Sequence, residues 1–270
     1  MIESIDKFIS RFSRYILAIY TVVTIAFFIY FPISILYVYS VNDVPYFVPE
    51  WRGFTLKWFI KIFERKDLII SLQNSLVIAV FVTAVSMALG IPPSFYIVRG
   101  RGRIKNIYLL YLMIPFIVPW IIIGVGDYIF FWFLHIEKSL ITAALAHIIY
   151  SIPLVVTILA PRLYSLDPSL EEASMDLGAD EFTTFRKIIL PLVFPSIASS
   201  AIITFAWSFD NFIISYFTLG NELTWPVWVF SVIGKIPRIM PVINAVSVII
   251  ITLSSIGIYL LARKGLTELF

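Results

Sequence analysis

Residues 167–187 form a polar, acid-rich stretch in an otherwise apolar chain and read Asp167-Pro-Ser-Leu-Glu-Glu-Ala-Ser-Met-Asp-Leu-Gly-Ala-Asp-Glu-Phe-Thr-Thr-Phe-Arg-Lys187. Apolar runs long enough to cross a bilayer flank this stretch, over residues 140–159 and 188–219. Charged side chains are costly inside a bilayer, so a segment this polar lies in water. The stretch therefore predicts a membrane protein that holds a structured segment outside the membrane between two of its spans.

The composition indicates that the bilayer is the solvent for most of the chain. Of 270 residues, 60% are apolar and only 14% are charged, which is too few charges for the surface of a soluble domain. The net charge of +3 is small and gives no reason to expect a nucleic-acid partner. The chain has no cysteine, which excludes disulfides and cysteine-based metal or redox sites.

Six apolar segments predict an all-α fold with six transmembrane helices in a single membrane domain over residues 1–270. The predicted spans are 15–40, 72–98, 107–134, 140–159, 188–219 and 242–262. Apolar residues at helical spacing beside lysines over residues 54–63 predict a helix on the outer membrane interface in the first loop.

Prolines predict bends in two of the spans. Pro115 or Pro119 is expected to bend the third span, since proline removes a backbone hydrogen bond and clashes with the preceding turn. Pro191 and Pro195 predict a kinked or interfacial start to the fifth span.

Basic residues set the predicted orientation. The short second loop carries a tight cluster that consists of Arg99, Arg101, Arg103 and Lys105. Cytoplasmic loops are enriched in such cations, so this cluster is expected in the cytoplasm. The first loop also carries cations, but its carboxylates nearly balance them. With six spans, both termini and residues 167–187 then lie in the cytoplasm as well.

The acid-rich stretch reads as two short helices around a glycine. Asp167 suits an N-cap and Pro168 suits the first helical position after it. Gly178 suits a helix stop because glycine tolerates a left-handed backbone. Asp180 or Thr183 can then begin a second helix. A partner that pushes on such a segment would move both of the spans that hold its ends.

The spacing within this stretch resembles the Glu-Ala-Ala…Gly…Ile-x-Leu-Pro loop of the membrane-spanning subunits of ABC-type importers. The matching residues are Glu172-Ala173-Ser174, then Gly178 and, after nine residues, Ile188, Leu190 and Pro191. The resemblance extends over about residues 72–261. It implies a coupling helix between spans four and five, with ATPase-coupling residues Glu171, Glu172, Ala173, Ser174, Asp176, Gly178 and Ala179. Ser174 departs from the family's alanine, and its small side chain should still permit close approach.

The resemblance also implies the partners. They are a second permease subunit, expected to be a different chain, two cytoplasmic ATPase subunits, an extracytoplasmic substrate-binding protein and the lipid bilayer. The chain lacks a Gly-x-x-x-x-Gly-Lys-Ser/Thr phosphate loop. ATP and Mg²⁺ are therefore expected on the partner ATPase, with no cofactor in this chain. The implied mechanism is alternating access, in which spans move as rigid bodies.

Different residues of the chain resemble two branches of the family. Residues 207–220 resemble the fifth-span signature of spermidine/putrescine permeases, although Asn211 replaces the second of its two acidic residues. Residues 226–233 and 241–245, and the placement of Asp176 two residues before the loop glycine, fit the same branch. Residues 74–76, Asn-Ser-Leu, are instead shared with sugar permeases. A polyamine-like cation and a sugar are therefore both candidate substrates.

Polar residues predicted within or near the spans mark a candidate substrate path. An ionised side chain at mid-bilayer costs at least about 2.5 kcal/mol, so it normally faces a partner or a watery path. Asp210 either lines the path or pairs within the helix bundle. The other candidates are Asn211, Trp207, Tyr216 and Asp127, with aromatic rings suited to an ammonium group. His147 is expected to be a hydrogen-bonded packing residue.

Two other function classes compete with the importer. A membrane-embedded enzyme needs a catalytic constellation, and Asp127 with Asp210 is the one candidate pair, without a typical flanking motif. We expect no catalytic residue. With His135 as the second of only two histidines, we expect no metal site. A secondary transporter or channel is expected to show inverted repeats with matching broken helices, which the sequence lacks.

Overall fold

The computed structural model describes residues 2–45, 50–100, 102, 104–236 and 238–267, so Arg101 and Arg103 of the predicted cytoplasmic cluster lie outside the described residues. The described chain is helical, with one isolated β-bridge between Asn42 and Phe54. The helices are α1 (Ile2–Ile25), α2 (Phe31–Val41), α3 (Lys57–Glu64), α4 (Lys66–Arg99), α5 (Ile104–Ile117), α6 (Trp120–Phe133), α7 (Leu140–Tyr164), α8 (Ser169–Asp176), α9 (Glu181–Thr184), α10 (Leu190–Phe209), α11 (Ile213–Thr218), α12 (Trp225–Val232) and α13 (Met240–Thr267). Short π-helical turns join α1 to α2 and α9 to α10.

Five segments of the described chain are long and apolar enough to cross a membrane. They are Tyr15–Val41, Lys66–Arg99, Leu140–Tyr164, Glu181–Phe209 and Met240–Gly257. A sixth is counted if α5 and α6 form one span broken by a bend of 102°. The predicted all-α fold is thus confirmed, with five or six candidate spans.

The third and fifth predicted spans differ from the structure in instructive ways. The chain breaks between α5 and α6 at Pro119, the residue that precedes α6, so one of the two predicted bend positions is correct. The predicted fifth span, residues 188–219, is too long, because α10 ends at Phe209 and α11 is a separate helix. The side chain of Asn211 accepts a hydrogen bond from Ile214 N at 3.0 Å. This contact starts a new helix where apolar composition alone suggested a continuous one.

The chain divides into two compact units, residues 1–65 with 232–270 and residues 66–231. In the first unit, Tyr37 of α2 and Thr252 of α13 share a hydrogen bond of 2.8 Å. The predicted loop-one helix is α3, whose Trp58 is 2% exposed and donates its indole N–H to the Asn42 carbonyl at 2.8 Å. The packing role expected of this helix is therefore present, and the prediction of a single domain stays a prediction.

The second unit is built on α4, α7 and α10, which pack on one another. The buried face of α4 carries small residues about one turn apart, namely Ser71, Ser75, Ala79, Ser86, Gly90 and Ser94. Small side chains let membrane helices approach closely. A Cβ at Gly90 would lie 2.8 Å from Val155 Cβ of α7. The absence of a side chain at Gly90 thus permits the close approach of α4 and α7.

Candidate functional site

The acid-rich stretch folds as two short helices, α8 and α9, and an aspartate before each accepts a backbone hydrogen bond from its first turn. The N-cap of α9 is Asp180, while that of α8 is Pro168, one residue later than the sequence predicts. Asp167 Oδ1 accepts a hydrogen bond from Ser169 N at 2.9 Å, and Asp180 Oδ1 accepts one from Thr183 N at 2.8 Å. The backbone and side chain of Ser169 lower the pKa of Asp167 through these bonds, and Thr183 lowers the pKa of Asp180 in the same way. Both carboxylates are therefore ionised caps at neutral pH.

Gly178 ends α8 as the sequence predicts. Its φ is +85°, a conformation that side-chain-bearing residues rarely adopt. Its N–H bonds the Met175 carbonyl at 2.9 Å, and the next N–H, of Ala179, bonds the Ser174 carbonyl at 3.2 Å. The chain therefore reverses within two residues and turns α9 back toward α8.

Ser174 faces into this helix pair. Its hydroxyl lies 2.9 Å from that of Thr184 in α9, and both residues are buried. The serine that replaces the family's alanine thus has a partner within the segment. This contact holds α8 against α9, and an ATPase-coupling role for Ser174 stays a prediction.

The outer surface of the pair combines carboxylates with apolar side chains. Glu172, Ala173 and Asp176 are exposed. Two large apolar side chains are exposed beside them, Leu177 by 91% and Phe182 by 68%. Charged side chains are costly inside a bilayer, so we expect this surface to face water. Exposed apolar groups in water typically mark a protein contact.

The polar segment lies at the carboxyl-terminal end of α4. Arg99, the last residue of α4, forms an ion pair with Glu171 of α8 at 2.5 Å between Nη2 and Oε1. The second loop and residues 167–187 are therefore on the same side of the second unit, as the orientation argument requires. Asp67 at the other end of α4 accepts a hydrogen bond from Trp228 Nε1 at 2.9 Å, which places α12 at the opposite end.

A cluster of aromatic residues connects α6, α7 and α10 within the spans. Trp207 stacks on Tyr150, with ring centres 5.3 Å apart, and meets Trp120 edge-on at 4.7 Å. Trp120 Nε1 donates to the Tyr150 hydroxyl at 3.0 Å. Sequence reasoning named Trp207 and missed the other two. The signal for Trp120 was its place directly after Pro119, at the break in a span.

Asp127 and Asp210 follow this aromatic cluster along their helices. Asp210 comes one turn after Trp207, and Asp127 two turns after Trp120, about 10 Å along α6. A Cβ at Gly124 would lie 2.9 Å from the Phe217 ring, so this stretch of α6 packs on α11. Both aspartates therefore lie on the α11 side of the tryptophan contact. Oδ2 of Asp127 is buried and has no hydrogen-bond partner among the described residues.

The remaining intramembrane candidates have structural contacts. Asn211 is 5% exposed and caps α11. Tyr216 is half-exposed and its ring contacts Phe212 and Phe230. His147 is buried, with Nδ1 2.9 Å from the Ser208 hydroxyl and Nε2 3.0 Å from the Ser215 hydroxyl. The expectation that His147 is a hydrogen-bonded packing residue is confirmed.

Two residues that had pointed toward sugar permeases also have structural roles. Asn74 Nδ2 donates to the Leu223 carbonyl at 3.0 Å, and Ser75 Oγ accepts from Trp225 N at 2.9 Å. Both bonds anchor the segment before α12 to α4. Asn74 and Ser75 of the Asn-Ser-Leu motif therefore have a packing role in this chain.

No cluster of three or more histidines or carboxylates suited to a metal ion occurs in the part of the chain that the structure describes. The acid-rich stretch instead presents an exposed helical surface with carboxylate and apolar side chains, and it is joined to apolar spans that carry the aromatic cluster.

Comparison with known proteins identifies the family of this chain. Residues 81–264 match the family of binding-protein-dependent transport system inner membrane components. The chain belongs to this family of multi-pass ABC importer permease subunits, which are non-catalytic. Membership implies a complex with a binding protein and an ATPase.

Two relatives from Escherichia coli K12 are transport permeases. The chain is 32% identical over 228 residues to the spermidine/putrescine transport system permease protein PotC, covering 84% of this chain and 85% of the relative. It is 31% identical over 250 residues to the putrescine transport system permease protein PotI, covering 87% of each.

Solved structures share the fold at low sequence identity. A bacterial ABC transporter for the import of the acidic polysaccharide alginate matches with a TM-score of 0.68 at 15% identity, over 96% of both chains. The methionine transporter MetNI in an inward-facing conformation matches with a TM-score of 0.56 at 20% identity, over 74% of this chain and 96% of that one. At these identities the likeness concerns the fold alone.

Proposed function

We propose that this chain forms half of the translocation path of an ATP-driven polyamine importer, with α8 as its coupling helix. The observation that carries the coupling role is the exposed surface of Leu177 and Phe182 beside Glu172 and Asp176, on a segment joined at both ends to spans. Apolar side chains ringed by charge are typical of a docking surface. The occupant is the cytoplasmic ATPase that the family requires.

The proposed orientation follows from the same segment. If α8 meets a cytoplasmic ATPase, the carboxyl-terminal end of α4 is cytoplasmic too, because Arg99 pairs with Glu171 there. With six spans, both termini are then cytoplasmic. The second half of the path is a second permease subunit, which we propose to be a different chain, and a binding protein delivers substrate to the outer side.

A polyamine is favoured over a sugar for two reasons. Relatives at about 32% identity carry spermidine and putrescine in their names. Within the second unit, Asp127 and Asp210 follow the tryptophans of one aromatic cluster on the same side of their contact. Carboxylates pair with ammonium groups, and aromatic rings accept both ammonium groups and methylenes.

Reconstitution tests both parts of this proposal. The chain is placed in proteoliposomes with its neighbouring permease, ATPase and binding protein, and ATPase activity is recorded with a panel of polyamines and sugars on the binding protein. We expect stimulation by a polyamine and a loss of about tenfold in transport for Asp210→Asn, since a charge-assisted contact to an ammonium is removed. Glu137→Gln, an exposed carboxylate outside the cluster, is the matched control.

The outcomes separate the two claims. Stimulation by sugars alone contradicts the polyamine assignment and leaves the coupling role intact. Association with no ATPase contradicts the coupling role itself. Equal transport by Asp210→Asn and Glu137→Gln contradicts a path along Asp210.

A further inference from the structure

The ion pair between Arg99 and Glu171 joins two helices that have no direct chain connection. Arg99 ends α4, and Glu171 lies in the first turn of α8. Their side chains are 29% and 30% exposed, and Arg99 Nη2 is buried with Glu171 as its ion-pair partner at 2.5 Å. A pair this shielded from water is screened less than a surface pair. It is a candidate for a mechanical contact between the two helices.

The surroundings of the pair show why it matters. A cleft of about 310 Å³ lies between the end of α4 and the α8–α9 pair, lined by Phe95, Arg99, Glu171, Met175, Glu181, Thr184, Phe185 and Ile189. Apolar packing therefore does not fill the space between α4 and α8. The Arg99–Glu171 ion pair lies in the lining of this cleft. The rings of Phe95 and Phe185, also in the lining, meet edge-on with their centres 5.3 Å apart.

The chain itself links α8 to only two spans. Residues 165–168 connect it to α7, and α9 with the π-helical turn Phe185–Ile189 connects it to α10. Any force on α8 reaches those two helices through covalent bonds. It reaches α4 through side chains, and Arg99 supplies the charged contact.

We propose that the Arg99–Glu171 pair passes movement of α8 to α4, so that three spans follow this helix during transport. Arg99 is thus a positioning residue for the transport cycle. The inference rests on the proposed function, because it requires that α8 is moved by the ATPase.

Interactions with the helix dipoles offer a different explanation for the presence of Arg99 and Glu171 at these positions. Glu171 suits the amino-terminal turn of α8 and Arg99 suits the carboxyl-terminal turn of α4, since each sign of charge complements its helix dipole. A charge swap would invert both local effects while restoring the pair. A test must therefore replace the connection without replacing the charges, and the absence of cysteine from the chain allows this.

The test uses a variant with Arg99→Cys and Glu171→Cys in the full complex, whose other subunits have had their reactive cysteines replaced. Solute transported per ATP hydrolysed is measured in proteoliposomes before and after a short bifunctional thiol reagent links the two positions. We expect the unlinked variant to transport at least about fivefold less per ATP than wild type. Linking is expected to bring the ratio back to near the wild-type value, because it restores the connection without the charges.

A single-cysteine control separates the effect of the link from the effect of chemical modification. The single variant Arg99→Cys, treated with the same reagent, shows the effect of modification without a link. An unlinked variant that couples like wild type, or a linked sample no better than the unlinked one, overturns the inference. Because the linked and unlinked samples come from one preparation, reduced assembly of the variant does not hide the result.

The proposed function is judged separately on the wild-type complex. Failure of wild type to associate with the ATPase overturns the coupling role and this inference together. Coupled transport by wild type, with no dependence on the link, overturns this inference alone.

Discussion

Two polar segments interrupt the apolar second unit, and they are built in opposite ways. Residues 167–187 expose most of their charged side chains and several apolar ones, including Leu177 and Phe182. Residues 210–224 expose Asp210, Asn221 and Glu222 but bury four uncharged polar residues, Asn211, Ser215, Thr218 and Thr224, which are all at most 5% exposed. The first segment has local hydrogen bonds at Asp167 and Asp180 and an ion pair to α4, and the second has hydrogen bonds to α4 and α7. An exposed segment can receive a partner, whereas a buried one fixes the helices around it.

The two segments also differ in the hydrogen-bond partners of their polar groups. In the first, Asp167 and Asp180 each bond a backbone N–H two or three residues away. In the second, Thr142 of α7 donates to the Thr218 carbonyl at 2.8 Å. A Cβ on Gly220 would overlap the Lys138 carbonyl oxygen. Substitutions in the second segment should therefore affect stability, and substitutions on the surface of the first should affect association.

The largest effect is expected from His147→Leu, next to the buried segment. This change leaves the Ser208 and Ser215 hydroxyls buried without their partner, which costs about 2–4 kcal/mol of the free energy of unfolding. Thermal unfolding in detergent measures it. The control is His135→Asn, at an exposed histidine with a φ of 57° that asparagine tolerates. Equal unfolding temperatures for the two variants would contradict the contrast between the segments.

The next effect is expected from Leu177→Glu, on the exposed segment. Leu177 has almost no contact to lose, so the unfolding temperature should not change. Association with the ATPase should weaken about tenfold, equivalent to about 1.4 kcal/mol, because a charge replaces an apolar contact. Titration of purified ATPase onto the reconstituted permease measures this. Ile136→Glu, at an exposed residue before α7, is the control, and a similar loss there would remove the special role of α8.

A smaller effect is expected from Gly178→Ala, at the turn between α8 and α9. No atom would crowd the new Cβ, so the cost is that of a left-handed backbone, about 1 kcal/mol. The matched variant Gly126→Ala also meets open space, but within a helix, where alanine is favoured. Hydrogen exchange of the α8–α9 amides should rise in the first variant and stay unchanged in the second. Equal exchange would show that the turn does not need its positive φ.

The smallest effect is expected from a change of pH, which should leave the α8–α9 segment unchanged near neutral pH. Because hydrogen bonds lower the pKa of Asp167 and Asp180 in the folded chain, their caps contribute fully above the ordinary carboxyl pKa. That contribution is lost as pH falls through the lowered values, below about 4. A spin label at Phe182→Cys should therefore show constant mobility from pH 8 to 5 and higher mobility in stronger acid.

The double variant Asp167→Asn with Asp180→Asn keeps both caps without a titrating group. Its label mobility should stay flat across the same range. A rise equal to that of the parent would assign the acid response to other groups.

The exposed segment was predictable because its structure is local. The caps at Asp167 and Asp180 and the stop at Gly178 depend on residues within a few positions of each other, which sequence displays directly. The family spacing from Glu172 to Pro191 then identified the class of protein. The inward orientation of Ser174 was missed, because it depends on how α9 turns back on α8.

Within the membrane, sequence indicated the long apolar spans, and tertiary structure decided what their polar residues do. Apolar length predicts spans because the bilayer demands it of each helix separately. The serine contacts of His147 arise from packing between helices distant in sequence, whereas the bond from Ile214 N to Asn211 Oδ1 is local and the apolar pattern did not reveal it. Like the serine contacts, the Arg99–Glu171 pair joins residues that are far apart in the chain. A hydropathy pattern records each helix's exposure to lipid, and it contains no record of which helix its neighbour is.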